Sequence, residues 1–433
     1  MKQTARQKYL VAIKSTAIIA TLVAVLMIYL PSHILSHIGW RLLVLPIIIL
    51  VALSAKPIFL AIKYKNIWTA LNIVKSQNKM EEHLVNAGIY EIKTDDSNIV
   101  VVPKVDFKPK INNNNEWLVM IKNSLAVEDK LLSLDITAGL QGYAQDGEPW
   151  LTDAHSHVVY RVYDVANEYR YRFESFADVV AVLSENNKDF VIDKRLSFDL
   201  CHMLIAGKTG SGKSYMVLYL LICYLYKYGK NNLYVCDPKR ADLYNLNLPA
   251  NHKCWSADAP EMFEEVYKML LERQKIFASK SKGKINLTYK NVGLKPILLV
   301  VDEYASMKQY YNTDSNSKKV YQKMLSILTQ IVLMGRQLGV FCIVITQKPS
   351  AETISTDIRS NLVFRCLLGN SDTTEQITAF EQSIKHQVLR DAGQGYYLYA
   401  VNGASTRLVD VPILDFDIKK AFDRLLKDNN KKK

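Results

Sequence analysis

Four short apolar runs in the second half of the chain predict strands that are buried in a parallel sheet. Each run is five or six residues long, and a glycine, acidic or amide residue follows within two positions. Strands that are covered on both faces read as continuous apolar segments rather than as alternating ones. Ligands bind at the carboxyl ends of such strands, so the residues that follow the runs are the candidate site. The four runs are Cys201–Ala206, Asn232–Cys236, Ile297–Val301 and Val340–Ile345.

The first run leads into a glycine-rich segment, GKTGSGKS, which fits the phosphate-binding pattern G-x-x-x-x-G-K-[ST] at every fixed position. Its glycines allow a tight turn whose N–H groups hold phosphate oxygens at the start of the next helix, expected over Tyr215–Tyr228. We expect Lys213 to reach the β- and γ-phosphates of ATP and the Ser214 hydroxyl to bind Mg²⁺. The residues expected to hold ATP are Gly207, Lys208, Thr209, Gly210, Ser211, Gly212, Lys213 and Ser214.

Polar residues that follow two of the other runs suit hydrolysis of a bound triphosphate. The third run ends in Asp302 and Glu303. We expect Asp302 to position Mg²⁺ and its waters, and Glu303 to polarise the attacking water. The fourth run leads to Gln347, which is expected to sense the γ-phosphate. Without the other two motifs, an ordinary glutamine that caps a strand would be the preferred interpretation of Gln347.

Two apolar runs near the N-terminus predict a membrane hairpin. Ser15–Leu30 and Leu42–Ala55 contain no charged residue, and each reaches the roughly 20 residues of a span when it is extended past one lysine. Basic residues flank the outer sides of the pair, which by the positive-inside rule places both ends in the cytoplasm. The predicted location is therefore the cell membrane, with the rest of the chain cytoplasmic. A cleaved signal peptide and a pair of buried core helices are the alternatives.

Net charge and cysteine usage narrow the classes of partner and site. The 433 residues carry a net charge of +13, but residues 1–80 hold ten basic residues and no acidic one. Residues 81–433 hold 45 basic and 42 acidic residues, so any DNA contact there must use a local patch. The cysteines form no C-x-x-C pair, which gives no support to a zinc or disulfide framework and favours buried thiols in a reducing compartment. They are Cys201, Cys223, Cys236, Cys254, Cys342 and Cys366.

These features predict an α/β chain of four parts. Residues 1–65 are the N-terminus and membrane helices, and residues 66–188 are a linker helix and a small α/β adaptor domain. Residues 189–415 are a RecA-like P-loop NTPase motor with a mostly parallel sheet, and residues 416–433 are a C-terminal helix and a basic tail. Within the motor, the polar segment Lys308–Ser317 is predicted to be a mobile loop.

The order of the motifs resembles the FtsK/SpoIIIE family of DNA-translocating ATPases over roughly Asp189–Leu414. The segments that carry the resemblance are HMLIAGKTGSGKSY, VCDPK, ILLVVDEYA, GRQLGVFCIVITQKPS and GQGYYLY. ITQKPS is the most specific of them, because a P-loop alone occurs in many NTPases. GRQLG departs from the family's usual Arg-Ala-Ala-Gly at its middle positions. The resemblance implies hydrolysis of ATP coupled to movement of DNA.

Within that family, the domain arrangement resembles the coupling ATPases of Gram-positive conjugative plasmids and integrative elements. The winged-helix module of the chromosomal members is not found after the motor segment, and a two-helix anchor is expected before it. This resemblance implies a homo-hexamer at the cell membrane that feeds DNA, delivered with a relaxase, to a type IV secretion channel. It also implies that Arg336, eleven residues before Gln347, is an arginine finger for a neighbouring subunit, with Arg359 and Arg365 as alternatives.

Three other functions are compatible with parts of the sequence. A type VII-like protein-secretion ATPase also uses an FtsK-like motor behind two membrane helices, but usually has several motors in tandem. A chromosome-segregation DNA translocase shares the motor itself. A nucleotide-dependent membrane scaffold would hydrolyse little ATP, and the presence of Lys213, Asp302 and Glu303 argues against it.

Overall fold

The protein is described by a computed structural model that forms two compact units, Met1–Glu168 and Tyr169–Lys433. The structure describes residues 3–29, 48, 55–92, 99–109, 116–281, 285–350, 354–385, 387–403 and 405–428. Both units contain α-helices and β-strands, as the α/β pattern of the sequence predicts.

The first unit is built around an antiparallel sheet. Its elements are β1 (Gln3–Thr4), α1 (Ala5–Ile28), α2 (residues 55–64), α3 (Ile67–Asn86), β2 (Glu91–Ile92), β3 (Ile99–Val101), β4 (Val105–Pro109), β5 (Glu116–Lys122), α4 (Glu128–Ser133), β6 (Tyr143–Gln145), β7 (Trp150–Leu151) and β8 (His157–Asp164). The main sheet has the order β4-β5-β8-β6, and β7 also pairs with β8. Alternate residues of β5, Trp117, Val119 and Ile121, are buried against Met80 and Leu84 of α3.

The predicted membrane hairpin is not supported by the described residues. The first apolar run, Ser15–Leu30, largely coincides with α1. The second run, Leu42–Ala55, lies outside the described residues except for positions 48 and 55. Within the described ranges, no helix is both long enough and apolar enough to cross a membrane.

The second unit contains the P-loop. Its elements are β9 (Arg172–Phe173), α5 (Phe176–Glu185), β10 (Phe190–Val191), β11 (Ser197–Phe198), β12 (Met203–Gly207), α6 (Lys213–Tyr228), β13 (Leu233–Cys236), β14 (Lys253–Cys254), α7 (Ala259–Ser281), β15 (Ile297–Val301), α8 (Tyr304–Tyr311), α9 (Ser315–Leu338), β16 (Val340–Thr346), α10 (Thr356–Asn361), β17 (Phe364–Leu368), α11 (Thr373–Phe380), β18 (Gln394–Tyr399), β19 (Arg407–Asp410), β20 (Ile413–Leu414) and α12 (Ile418–Asp428). Residues 169–188, assigned from the sequence to the adaptor, lie in this unit, where Arg172 of β9 pairs with Ile413 of β20.

An eight-stranded sheet forms the centre of the second unit, in the order β14-β13-β15-β16-β12-β17-β18-β19. The strands from β14 to β17 are parallel, whereas β18 and β19 are antiparallel and close one edge. The four predicted strands are all present, and every residue of β12, β13, β15 and β16 is buried. This arrangement confirms a mostly parallel P-loop motor sheet.

The register of the sheet places the candidate motifs at one edge. Ala206 of β12 pairs with Thr346 of β16, and Gly207 pairs with Leu368 of β17. Val301 of β15 pairs with Val344 of β16. Since these strands are parallel, the segments that follow them leave the sheet on the same side.

The prediction of a mobile loop over Lys308–Ser317 is wrong. This segment contains the end of α8, a turn and the beginning of α9. The Asp314 carboxylate accepts hydrogen bonds from the backbone N–H groups of Asn316 and Ser317, at 2.8 and 3.1 Å, and so caps α9. The polar composition of the segment comes from this cap and from the exposed first turn of the helix.

Candidate active site

The P-loop has the tight turn that its glycines predict. Gly210 and Gly212 adopt left-handed backbone conformations, with φ of +81° and +91°. The Ser211 N–H donates to the Lys208 carbonyl at 3.1 Å, and α6 begins directly after the loop at Lys213. The loop therefore presents backbone donors at a helix N-terminus, where anionic phosphate is stabilised.

A second glycine-rich turn, before β18, supports the P-loop from outside. The Gly393 N–H donates to the Ser211 carbonyl at 2.8 Å. A Cβ atom on Gly212 would lie 2.6 Å from the Gly393 nitrogen, so the two backbones touch. The sequence gives only a weak signal for this contact, because Gly393-Gln394-Gly395 reads as an ordinary turn before a strand.

One cavity of about 530 Å³ brings most of the predicted residues together. Apart from Gly207 and Ser211, the whole P-loop lines it, together with Asp302, Glu303 and Gln347. The Ser211 side chain is itself buried. The other residues that line the cavity are Tyr215, Val217, Leu218, Lys239, Ala241, Asp242, Leu243, Ile345 and Ala392.

Asp302 and Glu303 are held in fixed positions where β15 ends. Glu303 has a left-handed backbone, with φ of +39°, and its N–H donates to the Asp302 carboxylate at 3.0 Å. One oxygen of the buried Glu303 carboxylate accepts from the Gln347 backbone N–H at 3.4 Å. The tips of β15 and β16 therefore meet through Glu303 and Gln347. The Gln347 side chain is exposed and faces the same cavity.

The electrostatics of this edge suit a divalent cation. Burial, and then the nearby charge of Asp237, raise the pKa of Asp302 to about 6. Mg²⁺ is usually held by one or two carboxylates, phosphate oxygens and water rather than by a complete set of protein ligands. Asp302 and the Ser214 hydroxyl supply such a partial set. Within the described ranges, no group of three or more His, Cys, Asp or Glu side chains forms a metal site of its own.

Arg336 is a predicted site residue that lies outside both the P-loop and the cavity lining. It is exposed near the end of α9, before β16 begins, whereas the P-loop follows the end of the parallel strand β12. Burial and the charge of Arg336 lower the pKa of His202, just before β12, to about 3. Arg336 thus lies at the edge of the sheet opposite to its own P-loop.

The two alternative arginines are engaged within the subunit. Arg365 and Arg359 both form ion pairs with Glu381, at 3.3 and 3.8 Å. Arg365 is buried in β17. Neither lines the cavity that the P-loop forms.

Three charged residues that were not assigned from the sequence belong to the surroundings of the cavity. Asp237 is buried after β13, and Lys239 lines the cavity. Glu375, at the start of α11, lies 3.6 Å from the P-loop Lys208. The position of Asp237 and Lys239 after a buried strand was the available signal for these two. Glu375 gave none, because its partner is distant in the sequence.

Comparison with known proteins supports the family resemblance. Residues 162–292 match the FtsK/SpoIIIE family. The Ftsk domain-containing protein YdcQ of Bacillus subtilis (strain 168) is 31% identical over 201 residues, which are 46% of this chain and 40% of that protein. DNA translocase FtsK of Clostridium tetani (strain Massachusetts / E88) is 24% identical over 348 residues, which are 77% of this chain and 44% of that protein. The chain thus spans less than half the length of these relatives.

A solved structure extends the likeness beyond the matched segment. The pCW3 conjugation coupling protein TcpA, in its monomer form with ATPgS, superimposes with a TM-score of 0.53. The superposition covers 82% of this chain and 99% of that one, at 15% sequence identity. At that identity the likeness concerns the fold, and it agrees with the P-loop motor fold described above.

Proposed function

We propose that this chain, which contains a P-loop ATPase domain of FtsK/SpoIIIE type, hydrolyses ATP to move DNA. The observation that carries the proposal is the convergence of the P-loop, Asp302, Glu303 and Gln347 on one cavity. Residues from three separate strand ends meet there, which a chance Gly-Lys-Ser turn would not produce.

The predicted site residues around the cavity have separate parts in the proposed reaction. The P-loop N–H groups and Lys213 bind the phosphates. Ser214 and Asp302 would hold Mg²⁺, which neutralises charge on the phosphates. Glu303 accepts the proton of the attacking water, and Gln347 senses the γ-phosphate at the tip of β16. Burial and the charge of Asp237, which raise the pKa of Asp302, also favour a cation there, since a cation relieves the cost of the carboxylate charge.

The finer proposal is that the motor is a coupling protein in conjugative transfer. In that role a homo-hexamer, anchored to the cell membrane by the N-terminal apolar runs, pumps DNA from a relaxase towards a type IV secretion channel. The order of motifs and the likeness in fold to a conjugation coupling protein support this role. The exposed position of Arg336, remote from its own P-loop, supports a multi-subunit site.

The test is the ATPase rate of the purified full chain with and without DNA. We expect hydrolysis that requires Lys213 and Mg²⁺ and that rises when DNA is added. Loss of Lys213 is compared with Lys253→Met as a control, because that variant also removes a lysine charge but at a position outside the cavity lining. ATP hydrolysis without any response to DNA would favour a protein-secretion ATPase, and the lack of hydrolysis would favour a scaffold.

A further inference from the structure

The three lysines that line the cavity differ in their ion pairs. Lys208 lies 3.6 Å from Glu375, and Lys239 lies 3.9 Å from the second oxygen of Glu303. Among the described residues, Lys213 forms no ion pair, which leaves its ammonium group available to phosphate. The P-loop pattern explains Lys213 but gives no role to Lys239, which comes from a different strand.

The Glu303 carboxylate has one contact on each oxygen. Its first oxygen accepts from the Gln347 N–H at 3.4 Å, and its second faces the Lys239 ammonium group. Both distances are long, so each contact alone constrains the carboxylate weakly. The two contacts come from Lys239, which follows β13, and from Gln347, which follows β16. These strands lie on either side of β15, the strand that precedes Glu303. The carboxylate is thus held from two sides at the edge of the sheet.

The turn that carries Lys239 is itself fixed. The buried Asp237 carboxylate accepts from the N–H groups of Lys239 and Tyr244, both at 3.1 Å. The next residue, Arg240, has a left-handed backbone and stacks on Trp255, 4.1 Å from the ring centre. An ion pair on a mobile chain would have little directional effect, but this turn holds the base of the Lys239 side chain in place.

We propose that Lys239 is a positioning residue that orients the Glu303 carboxylate for its part in ATP hydrolysis. The inference rests on the proposed ATPase function and adds to it a residue outside the P-loop and the β15 motif. The Lys239 side chain is half exposed, and ion pairs of this kind stabilise a fold little. Its effect should therefore be on the hydrolysis rate and not on the stability of the protein.

The test compares kcat and KM for ATP in full-chain Lys239→Met, which keeps the length of the side chain and removes its charge. We expect kcat to fall about tenfold, part of the 10²–10⁴ that a general base contributes, with KM within about twofold of wild type. Lys239→Arg should recover much of the loss. In a Glu303→Gln background, Lys239→Met should change the residual rate less than about twofold, because the residue it orients is already inactive.

Three results would overturn the inference. They are an unchanged kcat and KM in Lys239→Met, an equal loss in the wild-type and Glu303→Gln backgrounds, and a rise in KM with kcat unchanged. The second would mean that Lys239 acts independently of Glu303, and the third that it contributes to nucleotide binding instead. Lys253→Met, on the neighbouring strand, controls for loss of charge near the turn. The comparison of wild type with Lys213→Ala tests the proposed ATPase function by itself. A failure of that function is therefore distinguishable from a failure of the role proposed for Lys239.

Discussion

Burial and the nearby charge of Asp237 disfavour the ionised form of the Asp302 carboxyl. The pKa of Asp302 is raised from 3.8 to about 6, so its folded form binds a proton more tightly than its unfolded form. Its contribution to stability is present below the unfolded value and is lost as pH rises through about 6. This residue should therefore make the nucleotide-free protein less stable at neutral than at acidic pH.

Asp302→Asn should remove that loss. We expect the melting temperature of the variant, relative to wild type, to rise between about pH 4.5 and pH 8, by an amount that corresponds to about 2 kcal/mol or less. Differential scanning calorimetry without nucleotide or Mg²⁺ measures this difference. A difference that is constant with pH would show that Asp302 keeps an ordinary pKa in the fold. Asp302→Asn should also lose Mg²⁺-dependent hydrolysis.

Lys213 and Glu303 should separate binding from hydrolysis. Lys213→Ala should lose ATP binding and leave the fold intact, because the ammonium group that contacts the phosphates is removed. Glu303→Gln should bind ATP and hydrolyse it at least about 100-fold more slowly, since the proposed metal ligand Asp302 remains. Binding is measured with a fluorescent ATP analogue and turnover by phosphate release. Wild-type turnover in Glu303→Gln would remove Glu303 from the reaction.

At the scale of elements, the contact between the P-loop and the turn before β18 fixes the shape of the loop. Gly212→Ala and Gly210→Ala form a matched pair, because both residues have left-handed φ values but only Gly212 touches Gly393. Gly210→Ala should cost about 1 kcal/mol of backbone strain. Gly212→Ala must also displace Gly393, so its affinity for ATP should fall more than about tenfold. Equal effects in titrations with ATP would contradict this role of the turn.

The elements show which parts of a sequence predict structure on their own. The strands β12, β15 and β16 were predictable because short apolar runs that end in glycine or polar residues indicate strands buried on both faces. The segment Lys308–Ser317 was not, since one cap residue, Asp314, decides between loop and helix. The ion pair of Lys239 with Glu303 and the contact of Gly393 with Gly212 depend on the order of strands in the sheet. That order depends on packing across the whole unit, so no single sequence segment predicts it.

At the scale of the whole molecule, the position of Arg336 bears on how subunits assemble around the ATP site. If it is an arginine finger, a neighbouring subunit must supply it, because it lies at the edge of the sheet opposite to its own P-loop. Arg336→Ala should then reduce turnover by roughly 10³–10⁵ while ATP still binds. Mixtures of Arg336→Ala and Lys213→Ala subunits, each inactive alone, should recover part of the ATPase rate. Verified mixed assemblies without recovery would exclude a finger that acts between subunits.

Contact with DNA should depend on a local patch. Residues 81–433 have a net charge of only +3, so any contact must use a local basic patch. Affinity should depend only weakly on sequence and should fall steeply with salt, because contacts to phosphates release counterions. Titrating labelled DNA duplexes of unrelated sequence at several salt concentrations measures both properties. Tight binding of a single sequence that persists at high salt would refute the patch.

The six free cysteines are all buried, and all belong to the second unit. A thiol reacts with an alkylating reagent only as an exposed thiolate, and burial raises the pKa of Cys223 to about 12. Each alkylation event therefore records a moment when the unit that contains the P-loop has opened, while the first unit contributes no signal. Without any introduced label, the rate of thiol modification measures the free energy of that opening. Saturating ATP should slow the modification to the extent that the nucleotide binds the closed form better than the open one.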